Sequence, residues 1–290
     1  MAIQDLHITH IGGHAFKWGK RTYVMGVINM TPDSFSGDGF GDNVDAAVQR
    51  AVIMQEDGAD IIDIGGESTR PPGAVYGEGA KPLSAEEELR RVLPVIHRLV
   101  NVLKIPMSID TYKADVARLA IAAGASLIND VWGLKRDPKL ARLAAELNIP
   151  IVLTHNQVGY AYYDLIGEVM RGLRESVDRV RTAGVPAEHV IVDPGIGFGK
   201  LVEHNLEILR HIDEFRKLGY PVLIGTSHKS FIGLVLGDLP AHDRVEGTAA
   251  TVAIGIMKGV DIVRVHNVKQ MVRVARMTDA LVRGWSRPSS

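Results

Sequence analysis

Hydrophobic and polar positions fall into two patterns that alternate eight times along the chain. Short apolar runs rich in β-branched residues recur at "TYVMGVINM" from Thr22, "ADIIDIGG" from Ala59, "IPMSIDT" from Ile105 and "ASLINDV" from Ala125. Four more follow at "IPIVLTHN" from Ile149, "HVIVDPG" from His189, "YPVLIGTS" from Tyr220 and "DIVRVHN" from Asp261. Runs this short and this uninterrupted predict strands buried on both faces, as in a parallel sheet. Between them, segments such as "SAEEELRRVLPVIHRLVNVL" and "EHNLEILRHIDEFRKLG" place apolar residues three and four apart, the spacing of an amphipathic crossover helix.

Repeated strand-helix units leave two architectures, a closed (β/α)8 barrel or an open doubly wound sheet, and the count of eight favours the α/β TIM barrel. Ahead of the first run, "ITHIGGHAFKWGKR" predicts an N-terminal hairpin turning at Gly12–Gly13 and placed to plug the barrel floor. No proline-rich linker or charge run divides the 290 residues, so residues 1–290 are expected to form one domain.

Polarity rises at the end of each run: Asn29, Asp63, Asp110, Asn129, His155 with Asn156, Asp193, Ser227, and Arg264 with His266. In a barrel these ends converge on one open mouth, so the eight stretches are expected to aim hydrogen-bonding groups at a single pocket. Singly, each such Asp or Asn also suits a helix cap. Asp110, Asn129, Asp193 and Lys229 suit a flat polar heterocycle with amino and oxo edges, whereas Asn29, Arg70, Arg264 and His266 suit an anion. His155 reads as a packed histidine rather than a base.

Composition narrows the chemistry. The formal net charge of −1 gives no reason to expect nucleic acid or an acidic membrane as partner, and the absence of cysteine excludes disulfides and thiolate sites. No apolar run approaches the length of a membrane span, and the N-terminus lacks a signal pattern, so the expected location is cytoplasmic. "GIGFGK" imitates a phosphate loop, but Leu201 stands where that loop needs a hydroxyl. No closely spaced histidine set exists for zinc.

Two stretches remain that packing does not require. "NMTPDSFSGDG", Asn29 to Gly39, and "STRPPGAVYGEGAKP", from Ser68, are long, rich in glycine and proline, and poor in core residues, as active-site lids are.

With these, "DIGGESTRP", "SIDT", "IND", "DPGIGFGK", "GTSHKSFIG" and "VRVHNV" in order, the chain resembles the dihydropteroate synthase family of the folate pathway over nearly its whole length. The resemblance implies a (β/α)8 barrel that joins 6-hydroxymethyl-7,8-dihydropterin diphosphate to p-aminobenzoate with release of pyrophosphate, using Mg2+ near Asn29, as a homodimer. It implies a pterin site at Asp110, Asn129, Asp193, Lys229 and Arg264. It implies diphosphate contacts at Asn29, Asp63, Thr69, Arg70, Arg264 and His266. The p-aminobenzoate slot falls at Phe35, Pro71, Phe198, Ser227 and Lys229, and Asp33 belongs to a lid. Asp193, Lys229, Arg264 and His266 are the expected catalytic set. The alternatives are a pterin-binding corrinoid methyltransferase, which has no use for a diphosphate clamp, and a non-catalytic pterin-binding paralogue. Four positions depart from the family pattern: His228 for arginine, Asn267 for aspartate, Thr154 for methionine, and Pro72 as a second proline.

Overall fold

The computed structural model describes residues 8–31, 39–68 and 82–285. Strands β1 (Ile8–Ile11) and β2 (His14–Lys17) pair antiparallel, with Ile11 opposite His14. The two-residue turn needs positive φ at both positions, and Gly12 and Gly13 supply it at 55° and 81°.

The eight apolar runs become β3 (Tyr23–Asn29), β4 (Ile61–Gly65), β5 (Met107–Asp110), β6 (Leu127–Asp130), β7 (Ile151–Thr154), β8 (Val190–Asp193), β9 (Leu223–Ile224) and β10 (Ile262–Val265). All neighbours in the sheet are parallel, in the order β8-β7-β6-β5-β4-β3-β10-β9. A bridge between Val192 and Val222 joins the two edges and closes the barrel. This seam is short because β9 is short. Asp261 reinforces it, accepting from Val222 N at 3.0 Å and from Gly19 N at 3.1 Å.

A helix follows each strand: α1 (Val44–Glu56), α2 (Ala85–Leu99), α3 (Ala114–Ala122), α4 (Lys139–Leu147), α5 (Leu165–Thr182) and α6 (Val202–Arg210). Then α7 (Ser230–Val235) and α8 (Val245–Met257) follow β9, and α9 (Val268–Arg283) follows β10. Side-chain caps set several starts, with Asn43 accepting from Ala46 N at 3.0 Å and Ser84 from Glu87 N at 3.1 Å. One expectation fails: "EHNLEILRHIDEFRKLG" is not one helix. It breaks at His211, and a 3₁₀ segment, Ile212–Leu218, continues to Gly219, whose φ of 82° ends it.

Alternation along the strands separates two cores. Val24, Ile62, Ile109, Ile128, Leu153, Val192 and Val263 face outward against the helices. Met25, Ile61, Leu127, Val152, Ile191, Leu223 and Ile262 face inward and join Ile11, Phe16, Trp18 and Tyr23. The hairpin is therefore the barrel's floor. Phe16, Trp18 and Tyr23 pack ring against ring, with centroids 4.7 to 5.8 Å apart. Trp18 Nε1 donates to Thr9 Oγ1 at 2.9 Å, and that hydroxyl donates to Glu188 O at 2.5 Å.

Removing Trp18 leaves a cavity under the inner core and breaks this chain of hydrogen bonds. Trp18→Ala is expected to cost about 3–5 kcal/mol of unfolding free energy in urea titration. A loss below about 1 kcal/mol would show that the hairpin is not part of the barrel's cooperative unit.

Candidate active site

Two residues beyond the inner apolar layer, the same strand faces turn polar. Counting by two from Ile61, Leu127, Val152, Ile191 and Ile262 brings Asp63, Asn129, Thr154, Asp193 and Arg264 to the inner face, and Asp110 follows Ser108 on β5. On β7 this corrects the expected ring. Thr154 faces the interior, whereas His155 turns away and packs its imidazole where a Cβ on Gly172 of α5 would come within 2.8 Å. Asn156 is also drawn aside, donating to Val131 O at 3.0 Å.

Arg264 sits at the centre. Its Nε donates to Asp63 Oδ2 at 2.6 Å, and its Nη2 donates to Asp110 Oδ2 at 2.7 Å. Asn129 Nδ2 donates to the same Asp63 oxygen at 3.0 Å. Four strands are thus joined by one polar network. Burial pushes the Asp110 carboxyl up to about 7, against the pull of Arg264 and with the repulsion of Asp63. The two carboxylates hold Arg264 above its ordinary range despite its burial.

Asp193 performs both tasks considered for it. Its Oδ1 accepts from Gly195 N at 2.7 Å, making the turn, while its carboxylate stays in the ring. Burial raises it, and Lys229 and Arg264 are close enough to oppose that shift. Lys229 caps α7 and is not solvated: its Nζ donates to Ile196 O and lies 4.1 Å from the Phe198 ring centre. Burial lowers it to about 8, with Asp193 resisting and Arg264 assisting.

Ser227 Oγ meets His266, with Nδ1 at 3.0 Å and the backbone N at 3.2 Å. Burial, followed by the charges of His228, Arg264, Lys229 and Arg50, holds His266 well below the ordinary histidine range. It is a neutral hydrogen-bonding group. Asn29 ends β3 at the rim, half-buried, with its carbonyl accepting from Phe40 N at 2.9 Å. Asp33, Phe35, Thr69, Arg70, Pro71 and Pro72 lie outside the described residues.

Two of the departures form one contact. His228 Nε2 meets Asn267 Oδ1, and the His228 ring lies 5.1 Å from that of His266. His228 holds a φ of 59°, rare for a residue with a Cβ, while Arg244 Nη1 donates to its carbonyl at 2.8 Å and Thr248 Oγ1 accepts from its N at 3.2 Å. These two departures from the pattern of the family the chain resembles are thus the two ends of one contact. Thr154 Oγ1, by contrast, is buried without a hydrogen bond among the described residues, as are Asp63 Oδ1 and Ser108 Oγ on the same inner face.

No three His, Cys, Asp or Glu side chains among the described residues gather as a metal cage. Mg2+ does not require one, since it keeps waters and takes one or two protein oxygens beside substrate phosphates. The hard amide oxygen of Asn29 at the rim fits that donor set.

A barrel with this ring matches known proteins closely. The family model for pterin binding enzymes matches residues 25–266. A dihydropteroate synthase of Bacillus subtilis is 51% identical over 280 residues, spanning 97% of this chain and 95% of the relative. The chain belongs to the dihydropteroate synthase family. Another dihydropteroate synthase, from Clostridium beijerinckii, is 50% identical over 94% of this chain and 99% of its own. Among solved structures, the dihydropteroate synthase of Clostridium difficile in the presence of pteroic acid superposes with a TM-score of 0.85 at 48% identity, covering 92% and 99% of the two chains. That of Xanthomonas albilineans with 4-aminobenzoic acid gives 0.86 at 40% identity, covering 95% and 98%. The barrel and hairpin are therefore the family's fold.

Lys200, buried behind this ring, carries no local signal beyond "GIGFGK", a pattern that the absence of a hydroxyl at Leu201 removes from the phosphate loops.

The lowered Lys229 carries a linkage consequence. Between about pH 8 and its unfolded value near 10.5 the unfolded chain binds the extra proton, so stability rises with pH there. Wild type is expected to gain on Lys229→Met across that window, by up to about 1.4 kcal/mol per pH unit in denaturant titrations. Parallel curves would mean that Lys229 titrates as a solvated lysine.

Proposed function

We propose that this barrel performs the dihydropteroate synthase reaction, joining 6-hydroxymethyl-7,8-dihydropterin diphosphate to p-aminobenzoate with loss of pyrophosphate. The observation that carries the reading is the buried ring of Asp110, Asn129, Asp193, Lys229 and Arg264 in one electrostatic neighbourhood. Relatives at about half identity with that reaction in their names support it.

In this reading the pterin lies in the ring, with Asp193 and Asn129 meeting its amino and amide edge and Lys229 donating to its oxo or ring-nitrogen acceptors. Such groups are costly to bury unpaired, so a heterocycle that matches them all is selected over one that does not. Asp63 and Asp110 fix the plane of Arg264 where the pterin and diphosphate regions meet. Two of the five N–H groups of Arg264 meet these carboxylates, which leaves others for the ring face and the diphosphate. His266 takes part as a neutral donor rather than a cation.

The carbon–oxygen bond to diphosphate breaks first, and the electron-rich pterin, held against Asp193 and Lys229, spreads the positive charge left on the exocyclic carbon. The arylamine nitrogen then forms the new bond and gives up its proton, so no strong general base is needed. Pyrophosphate departs against Arg264, Arg70, Thr69 and Asn29. When bound at Asn29, Mg2+ supplies further neutralisation of the leaving group. Phe198, Ser227 and Lys229, with Phe35 and Pro71, form the arylamine slot, and Asp33 belongs to the lid that excludes water.

Because the diphosphate substrate is highly charged and does not cross membranes, a cytoplasmic location is proposed. Among the described residues no helix is long and apolar enough to span a bilayer. A homodimer is proposed through α7, α8 and α9, where Val235, Ile254, Met257, Met277, Leu281 and Trp285 are exposed.

Purified protein given both substrates and Mg2+ is expected to release pyrophosphate only when p-aminobenzoate is present; pterin binding without release would leave a non-catalytic paralogue. Arg264→Ala should lose about 100-fold or more in kcat/KM, while Glu203→Ala, on the exposed side of α6, should be near wild type. Equal activities reject the site. In sedimentation at micromolar concentration the protein should run as a dimer that Leu281→Glu with Met277→Glu dissociates, and a wild-type monomer would refute the interface.

A further inference from the structure

The segment from Pro194 to Lys200 after β8 is held by side chains at nearly every turn. Gly195, Gly197 and Gly199 adopt φ of 74°, 82° and 57°. A Cβ at Gly195 would fall 1.9 Å from His155 O, and one at Gly199 would fall 2.5 Å from Gln157 O, so the segment is wedged against the loop after β7. Gly195 N donates to Asp193 Oδ1 and Gly197 N to Asn205 Oδ1, each at 2.7 Å. Ile196 O accepts from Lys229 Nζ, and Gly199 O from Tyr162 OH at 3.0 Å.

Lys200 supplies the remaining hold. It is only 6% exposed, and its ammonium donates to Phe198 O at 2.9 Å, to His155 Nδ1 at 3.2 Å and to His155 O at 3.4 Å. No carboxylate among the described residues lies within ion-pair distance of it. Burial drives its pKa well below that of a free lysine, and burial together with the charges of Lys200 and Lys135 depresses His155. A methionine or leucine would fill the same space but would leave the carbonyls of Phe198 and His155 without this donor. The lysine's hydrogen bond toward the site goes to the carbonyl of Phe198, whose ring Lys229 faces, and its charge also reaches Asp193.

We infer that Lys200 is a positioning residue for the arylamine half of the site: through the Phe198 carbonyl it fixes the aromatic wall against which the second substrate stacks. This rests on the proposed synthase reaction and goes beyond it in assigning a residue that touches neither substrate. With Lys200 in place, Phe198 has one orientation relative to Lys229. Without it, two carbonyls and an imidazole nitrogen lose their donor, and the wall shifts while the pterin ring, held by Asp110, Asn129 and Asp193, does not.

Lys200→Met keeps the stem and removes the ammonium. It is expected to raise KM and the calorimetric Kd for p-aminobenzoate about tenfold, while KM for the pterin diphosphate and kcat at saturation stay within about twofold. Tyr162→Phe, which releases the neighbouring carbonyl of Gly199, should shift the same constant in the same direction by about two- to threefold. Unchanged p-aminobenzoate constants, equal rises for both substrates, or a variant that fails to fold would each assign Lys200 to general support of the barrel and overturn the inference. A wild-type protein with no arylamine-dependent pyrophosphate release would instead reject the reaction itself.

Discussion

A guanidinium cannot sit inside a barrel of isoleucine, valine and leucine unless the wall supplies its counter-charges. Arg264 on β10 finds them on Asp63 of β4 and Asp110 of β5, and Asn129 of β6 satisfies the same oxygen of Asp63 that the arginine uses. Removing Arg264 leaves two carboxylates without the cation between them, typically a loss of about 3–5 kcal/mol. This couples the chemistry of four strands, because none of these positions can change type alone. It also sets the direction in which the arginine presents its remaining donors.

Much of this was legible in the sequence because strand periodicity carries position. Eight apolar runs with polar ends pointed to one mouth, and a hairpin turning at Gly12–Gly13 ahead of them was placed to plug the floor. What was left open was of two physical kinds. Where two polar residues adjoin, as Thr154 and His155 do, the register of the inner face tells which enters the barrel: Thr154 does, and His155 packs against α5, as its reading as a packed histidine expected. Where a partner is distant in sequence, composition is silent: Lys200 meets His155 across 45 residues, and His228 meets Asn267 across 39. The second pair is instructive, since two departures that looked independent are the two ends of one hydrogen bond. The break after α6 was invisible to periodicity because a 3₁₀ segment continues the same apolar face.

The inner face keeps more polar atoms than it pairs. Asp63 Oδ1, Ser108 Oγ and Thr154 Oγ1 are buried without hydrogen bonds among the described residues, a cost that apolar replacements would avoid. Such a surplus belongs to a surface shaped for a polar guest rather than for the folded chain alone. Thr154 makes the cavity wall more hydrophilic beside Asp193, its neighbour in the β7–β8 register.

The aromatic floor has a consequence for traffic. With Phe16, Trp18 and Tyr23 sealing the N-terminal end, the barrel is a blind well, and whatever rests at its bottom must enter before anything seated above it. On the proposed chemistry the bicyclic substrate loads first and the arylamine closes the queue. The joined product, anchored at depth and reaching up to the rim, can leave only by the way its parts came in, once the smaller phosphate fragment has cleared the path.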